Sequence, residues 1–538
     1  MSTQPIMQED VVRLPRRLLM TYSGVAFAYI LIVWALRIAG VEAIEGHPTP
    51  FYVLVIPAFS SFFPAGVILS VALFIVIRLL VRRGSVSLVQ RYAFTFAFAA
   101  LLGFTLLSLL AEAPENSILD VLSGHGRLLG WNLAALGLFL VALYFLAGEL
   151  RRAGTSDAES SRSPRRVLAC LVLFAILFPI TIAASRDGLH GISQAYERFA
   201  YEYIVDIGKG GSIRGLFAKY LDLHPYLSMH AKVHPPGPIV ILWVFSYAVG
   251  QGPLALSFAT IVFGALAIVP LYYWTRDLLD ARAALMACVL YTLVPTIVLF
   301  SATSADITFM PLTLTTLFLF WRAITRSSIR YAVAAGVMYA VLSLISFSLI
   351  SLGAFFAFVG LWKLTDPESR SAVFKTAGTM ILSALAVHGA VRWWSGFDMI
   401  ACFNVCREQF YTDQIHLDEL TPRYPSWSWR FLNPACWFFF AGIPVSVLFI
   451  KRLLAPERDT KVLFAIFGLT LLVLDILYLG RGEGERSAMY IIPFLVIPAG
   501  HWLAQLREKF ESNAPLLMTA AFLGLQTWLM EVVLYTYW

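Results

Sequence analysis

Apolar segments about as long as a bilayer is thick recur along the chain, and short polar loops separate them. A transmembrane helix needs about 20 mostly apolar residues. In the N-terminal part, 1–150, this pattern predicts four spans, at 18–39, 51–80, 92–112 and 130–148. The polar stretch 151–166, rich in Ser and Arg, predicts a cytoplasmic linker between this four-span block and the rest of the chain.

Residues 167–538 are predicted to form a larger helical bundle. A first span covers 167–184, and further spans follow at 254–275, 284–302, 307–323, 331–348, 350–364, 376–394, 434–450, 462–479, 488–505 and 515–535. Two long polar segments, 185–234 and 392–433, interrupt them. The pattern therefore predicts an all-α polytopic membrane protein of about fifteen spans, of which about 10 or 11 form this bundle.

The apolar segment 235–249 decides which loops face outward. With about 15 residues it is short for a crossing. If it crossed, the arginine-bearing loops that follow residues 275 and 323 would lie outside, against the preference of Arg and Lys for the cytoplasmic side. A re-entrant or interface-lying helix, which is tolerated where protein surrounds it, keeps those loops inside. Segments 185–234 and 392–433 then become external loops.

Composition excludes a soluble globular protein. Hydrophobic residues make up 59% of the chain and charged residues 14%, against about 25% charged in soluble proteins, and the mean hydropathy is +0.75. The net charge of +7 comes mostly from loop arginines, so it predicts topology and not nucleic-acid binding. Cys402 and Cys406 share an external loop, where a disulfide and two free thiols are both compatible with the sequence.

The first external loop contains a stretch with helical periodicity, 192–207. Arg198, Glu202 and Asp206 recur at every fourth position, which predicts one solvated stripe of ion pairs. Glu197 falls instead at the edge of the apolar face. A carboxylate there either pairs with a buried cation or acts as an acid or base with a raised pKa, so Glu197 is a candidate catalytic residue.

Two more carboxylates are candidates because they adjoin spans. Asp187 ends the span 167–184, and its alternative role is an interface ion pair with Arg186. Asp306 follows the sequence Ser-Ala-Thr-Ser-Ala in a short external turn and leads into an apolar span. An N-cap of that helix is the equally weighted alternative for Asp306.

The motif His230-Ala-Lys232-Val-His234-Pro-Pro-Gly stands where the first external loop enters the short apolar segment. The prolines impose an extended backbone before them and suit the first turn of a helix after them. His230, Lys232 and His234 are thereby predicted at the membrane mouth, where such donors suit an anionic headgroup. A rigid helix entry is the structural alternative. The prolines disfavour the helical geometry of a metal pair, so no metal is assigned.

A glycine-rich turn, Gly480–Ser487, separates two late spans. Its glycines allow a ligand to approach the backbone closely, and Arg481 and Arg486 offer planar donors for a phosphate. Glu483 and Glu485 are placed to orient these arginines. A flexible turn is the alternative, but two external arginines run against the topological preference and favour a binding role.

From about Val167 to the C-terminus, the chain resembles the GT-C superfamily of polyprenyl-phosphate-sugar-dependent glycosyltransferases, which includes protein O-mannosyltransferases and the lipid A aminoarabinose transferase. The resemblance rests on acidic residues in a loop directly after a span and on four further landmarks. These are His234-Pro-Pro, Leu271-Tyr-Tyr-Trp-Thr-Arg276-Asp, Pro295 leading to Ser301 and Asp306, and Gly482-Glu-Gly-Glu-Arg486.

This resemblance implies a reaction and residue roles. A carboxylate in the first external loop deprotonates an acceptor hydroxyl, which attacks the anomeric carbon of a lipid-phosphate sugar with inversion. Glu197 or Asp187 would be this base, and the adjacent Asp-Glu pair usual in relatives is absent. Asp306 would take the acidic position of the second loop. The implied headgroup or phosphate ligands are His230, Lys232, His234, Arg481 and Arg486, with Glu485 beside them.

The implied partners are a polyprenyl-phosphate-linked sugar, membrane lipid and a glycan, lipid or protein acceptor, at the outer face of a bacterial inner membrane. No cofactor is assigned, and a divalent cation stays open. Two other classes are alternatives. A transporter or flippase predicts inverted repeats with paired broken helices, and the sequence offers a single break, at Pro235–Pro238. A catalytically degenerate assembly subunit is the other.

Overall fold

A computed structural model of the protein describes residues 17–29, 164–187, 189–420, 429–455, 457–477 and 484–533. Within these residues the regular elements are helices, and no strand is present. The predicted four-span block and the linker lie outside the described residues, except for a helix at 17–29 and the first turn of the next helix. The prediction of an all-α fold is confirmed.

The bundle is built from helices joined by short turns. Their bounds are Pro164–Asp187, Pro253–Ala265, Ile268–Leu278, Ala281–Tyr291, Pro295–Thr303, Phe309–Arg326, Ile329–Ile345, Gly353–Leu364, Arg370–Ser395, Trp429–Phe440, Ile443–Leu454, Lys461–Leu477, Ile492–Phe510 and Ala514–Val533. The helix at 17–29 packs on the last of these, since Tyr22 contacts Phe522 edge-to-face and its hydroxyl lies 3.2 Å from that of Thr519.

Six helices of the described residues are long and apolar enough to cross a membrane, or up to eight if each of two bent pairs forms one span. The pair Ala281–Tyr291 and Pro295–Thr303 bends by 52°, where a proline begins the second helix. The pair Trp429–Phe440 and Ile443–Leu454 bends by 112° at Gly442, whose φ of 91° favours glycine. The polytopic membrane class is therefore confirmed.

Shorter helices cap one end of this bundle. Those of the first loop are Leu189–Ser193, Ile213–Ala218, Tyr220–Leu223 and Met229–Lys232, with 3-10 turns at Gln194–Glu197, Tyr203–Asp206 and His224–Tyr226. The second loop contributes the helix Met399–Leu420. We call the end that carries these elements the upper end and the opposite end the lower end.

The two loops share a small core. Tyr196, Tyr203, Tyr220 and Trp243 of the first loop region pack with Cys402 and Cys406 of the second, and all of these side chains are buried. The two cysteine sulfurs lie 4.0 Å apart and both thiols are free. The upper end is thus one packed unit and not two separate loops.

The short helix Gly237–Val249 begins at the upper end. A Cβ on Gly237 would lie 2.3 Å from the carbonyl oxygen of Leu344, which is closer than any side chain tolerates. Glycine therefore allows this helix to start directly against the end of the helix Ile329–Ile345.

The following helices also start at the upper end. Gly264 lies against the side chain of Ile307, and Asp277 accepts a 2.7 Å hydrogen bond from Nε of Arg322. Residues 253–278 therefore run parallel to the helix Phe309–Arg326 and descend toward the lower end. Both ends of Gly237–Val249 consequently lie at the upper end, which agrees with a re-entrant or interface-lying helix.

Candidate active site

Four ionisable side chains from distant segments meet at the upper end. Glu202, His230, Asp306 and Arg486 are all buried, with at most 8% of each residue exposed. Nδ1 of His230 lies 3.3 Å from Oε1 of Glu202. Nη1 of Arg486 lies 3.3 Å from Nε2 of His230, and its Nε lies 3.4 Å from Oδ2 of Asp306. The result is a continuous row from Glu202 through His230 and Arg486 to Asp306.

Asp306 reaches this row because another residue caps its turn. The hydroxyl of Ser304 accepts a 3.1 Å hydrogen bond from the backbone N–H of Asp306, at the start of the 3-10 turn Ala305–Thr308. The N-cap role that the sequence allowed for Asp306 is therefore wrong. The carboxylate is instead available to Arg486.

Polar contacts hold the segment that carries both histidines in place. Asp206, which is fully buried, accepts hydrogen bonds from the backbone N–H and, at 2.7 Å, the hydroxyl of Ser228. Lys209 lies 2.6 Å from the same carboxylate. The hydroxyl of Tyr220 donates to the carbonyl oxygen of Ala231 at 3.0 Å and to that of His234. Residues 228–234 are therefore a segment held by tertiary hydrogen bonds and not a loose loop.

A pocket of about 320 Å³, part of it open to solvent, lies beside this row. Its charged and basic lining is His234, Asp306 and Arg486. The remaining lining residues are Phe309, Met310, Ser346, Ser348, Leu349, Ser487, Met489 and Tyr490. A concave site with an apolar floor and a few convergent polar groups is typical of a ligand-binding site.

Burial controls the charges in and around the pocket. It raises the pKa of Glu202 to about 8, with Arg486 opposing the rise and Asp306 adding to it. Burial also lowers the pKa of His234 to about 4. Near neutral pH both groups are mostly uncharged, because the charged form is the one that loses solvation. The guanidinium of Arg486 is then the cation that faces the pocket.

The prediction for residues 192–207 is wrong in its geometry. They do not form one helix but two 3-10 turns, Gln194–Glu197 and Tyr203–Asp206, with an irregular stretch between them. Glu202 and Asp206, predicted on a solvated stripe, are 1% and 0% exposed. Glu197, predicted at the buried edge, has 39% of its side chain exposed and lies 3.3 Å from His190. Ser193 donates a 2.6 Å hydrogen bond to it.

A helical period over 192–207 does not identify Glu202 as a site residue, because the segment is not one helix. The irregular stretch between the two 3-10 turns changes which positions point inward. A continuous helical period therefore assigns the wrong carboxylate to the interior. The flanking aromatic residues, in Tyr201-Glu202-Tyr203, are the one local signal that could have indicated burial.

The other predicted residues divide into three groups. Lys232 is half-buried, and its carbonyl oxygen lies 2.8 Å from Nε2 of His224. Glu485 is fully buried next to Arg486 and lies 3.4 Å from the thiol of Cys436. The side chains of Asp187 and Arg481 lie outside the described residues.

Among the residues that the structure describes, no group of three His, Cys, Asp or Glu is arranged to hold a metal ion.

The described residues thus form a polytopic helical bundle in which Glu202, His230, Asp306 and Arg486 meet in one buried site. Residues 233–394 match the family described as dolichyl-phosphate-mannose-protein mannosyltransferase. The match covers less than a third of the chain and includes His234 and Asp306. It confirms the resemblance to the GT-C superfamily. No curated protein matches the chain at a significant level.

Proposed function

We propose that this protein transfers a sugar from a polyprenyl-phosphate donor to a hydroxyl group of a glycan, lipid or protein acceptor, with inversion, at the outer face of a bacterial inner membrane. The observation that carries the proposal is the shared pocket of His234, Asp306 and Arg486. One side chain there can accept a proton, and two can bind a phosphate.

In this proposal Arg486 binds the phosphate that departs from the sugar. A guanidinium matches phosphate oxygens with paired donors, and such charge-assisted hydrogen bonds are the stronger kind. Its position is fixed by His230 and Asp306, at 3.3 and 3.4 Å. A preorganised cation stabilises the charge that grows on the leaving group. His234, uncharged because its pKa is lowered to about 4, adds a neutral hydrogen-bonding group.

Asp306 is the general base in this proposal. Of the two sequence-suggested carboxylates whose side chains the structure describes, Asp306 lines the pocket, whereas Glu197 is partly exposed and engaged with Ser193 and His190. A base must come within hydrogen-bond reach of the proton that it removes. Phosphate binding at Arg486 competes with Asp306 for the guanidinium and leaves this carboxylate to accept the proton of the acceptor hydroxyl.

The test is release of polyprenyl phosphate by purified protein from donors that carry labelled mannose, glucose or aminoarabinose. Asp306→Asn and Arg486→Ala are each expected to lower the rate by about 10²-fold or more, the usual range for a lost base or charge-stabilising donor. Asp222→Asn, an exposed carboxylate at the same end, is the matched control. If the wild type releases no lipid phosphate from any donor, or if Asp306→Asn matches the control, the proposal fails.

A further inference from the structure

Besides its charged residues, the pocket has a second polar edge, which is uncharged. Ser346 and Ser348 both line it, and their hydroxyl oxygens lie 2.8 Å apart. Ser346 is 2% exposed and Ser348 is half-buried. Each hydroxyl can donate one hydrogen bond and accept two. After the bond between them, the pair still has one donor and several acceptor positions.

The chain is built to hold this pair in place. Ser346 ends the helix Ile329–Ile345 in an extended conformation, with φ −153° and ψ 134°. The 3-10 turn Phe347–Leu352 follows at once and carries Ser348. The hydroxyl of Ser351 donates back to the carbonyl oxygen of Ser348. The helix therefore stops one residue before the pocket, and the turn directs both hydroxyl groups to one edge of it.

We propose that Ser346 and Ser348 are the specificity-determining edge for the sugar of the donor, and that they bind a pair of neighbouring hydroxyl groups on an uncharged sugar. This inference rests on the proposed function. Neighbouring hydroxyl oxygens on a sugar ring have about the spacing of a hydrogen bond, which matches the 2.8 Å between the two serine oxygens.

The rest of the lining agrees with an uncharged sugar. Phe309, Met310, Leu349 and Met489 provide apolar contacts, which suit the C–H face of a sugar ring. Asp306 is the single carboxylate among the lining residues and lies beside Arg486, so no further carboxylate among them is left for an amino group on the sugar.

The experiment compares the parent sugar with its deoxy analogues. For the neutral hexose donor that wild-type protein uses, kcat/KM is measured with the parent and with the 2-, 3-, 4- and 6-deoxy forms. Wild type is expected to lose about 10- to 100-fold for the two analogues that lack the recognised hydroxyls, because the serines are then left unpaired. Ser346→Ala and Ser348→Ala should lose a similar factor with the parent donor and little more with those analogues.

Two controls separate recognition from folding. Ser343→Ala removes a hydroxyl from the same helix, where it bonds to Ala340 and His388 and does not line the pocket, and should keep wild-type discrimination. Ser348→Thr retains a hydroxyl and should restore part of it. This inference is overturned if the Ser346 and Ser348 variants discriminate among the analogues as wild type does. It is also overturned if the protein turns over only the aminoarabinose donor. Both outcomes leave the proposed function standing. Absence of turnover with every donor refutes the proposed function itself.

Discussion

His230 and Arg486 are 256 residues apart in the chain, and Nε2 of the imidazole lies 3.3 Å from Nη1 of the guanidinium. A guanidinium has no acceptor atom, so Arg486 donates and Nε2 of His230 accepts. The imidazole proton is then on Nδ1, which lies 3.3 Å from Oε1 of Glu202. This relationship makes His230 the link between a buried carboxyl group and the cation that faces the pocket.

Replacing His230 should therefore weaken the function of Arg486. Hydrogen bonds that involve a charged group contribute about 1.5–3 kcal/mol, so His230→Ala is expected to lower kcat/KM about 10- to 100-fold. His230→Gln, whose side-chain oxygen can take the place of Nε2, should recover part of the loss. The measurement is polyprenyl-phosphate release. His190→Ala, at an exposed histidine beside Glu197, should leave the rate unchanged, and equal losses in the Ala and Gln variants would argue against the link.

Glu202 should make stability depend on pH. Its pKa is about 8 in the folded protein against an ordinary value of 4.5, so the folded state binds more protons than the unfolded state between these values. The contribution of Glu202 to stability is therefore complete below about pH 4.5 and decreases as the pH rises to about 8. Glu202→Gln carries no such titration, so its unfolding temperature should gain on that of wild type from pH 5 to pH 8. A constant difference across this range would contradict the assignment.

Glu197→Gln should retain close to wild-type activity. Its carboxylate is partly exposed, and its partners Ser193 and His190 lie outside the pocket lining. Removing a partly exposed ion pair costs about 0–1 kcal/mol of stability. The check is turnover beside Asp306→Asn in the same assay. A large loss of turnover in Glu197→Gln, together with an active Asp306→Asn, would indicate that Glu197 in the first loop is the base.

Asp206→Asn should destabilise the protein by about 2–3 kcal/mol, because it removes a buried carboxylate that accepts hydrogen bonds from Ser228 and pairs with the partly exposed Lys209. The segment 228–234, which carries His230, is held by the contact between Asp206 and Ser228, so KM for the donor should rise as well. Thermal unfolding and donor titration measure the two effects. Asp222→Asn, whose carboxylate is exposed, is the control and should show neither.

Cysteine labelling should place the two ends of 253–278 on opposite sides of the membrane. Gly252→Cys has open space for its side chain and should react with an impermeant reagent added from outside. Ala281→Cys, exposed at the lower end, should react only after the membrane is opened. The exposed Cys170 is replaced by Ser in both variants. The reverse labelling pattern would refute the proposed orientation.

The helical membrane class follows from the sequence alone, because apolar length and loop charge are local properties of the chain. The sequence also indicated His234, Asp306 and Arg486, since each stands in a polar break between apolar segments, where a charge has few structural reasons to be. The contacts within the site are not local properties and follow only from the three-dimensional fold. The partnership of Asp306 with Arg486 and the burial of Glu202 depend on how distant segments meet. The exposure of Glu197 depends on the end of a 3-10 turn at this residue, which hydrophobic periodicity does not reveal.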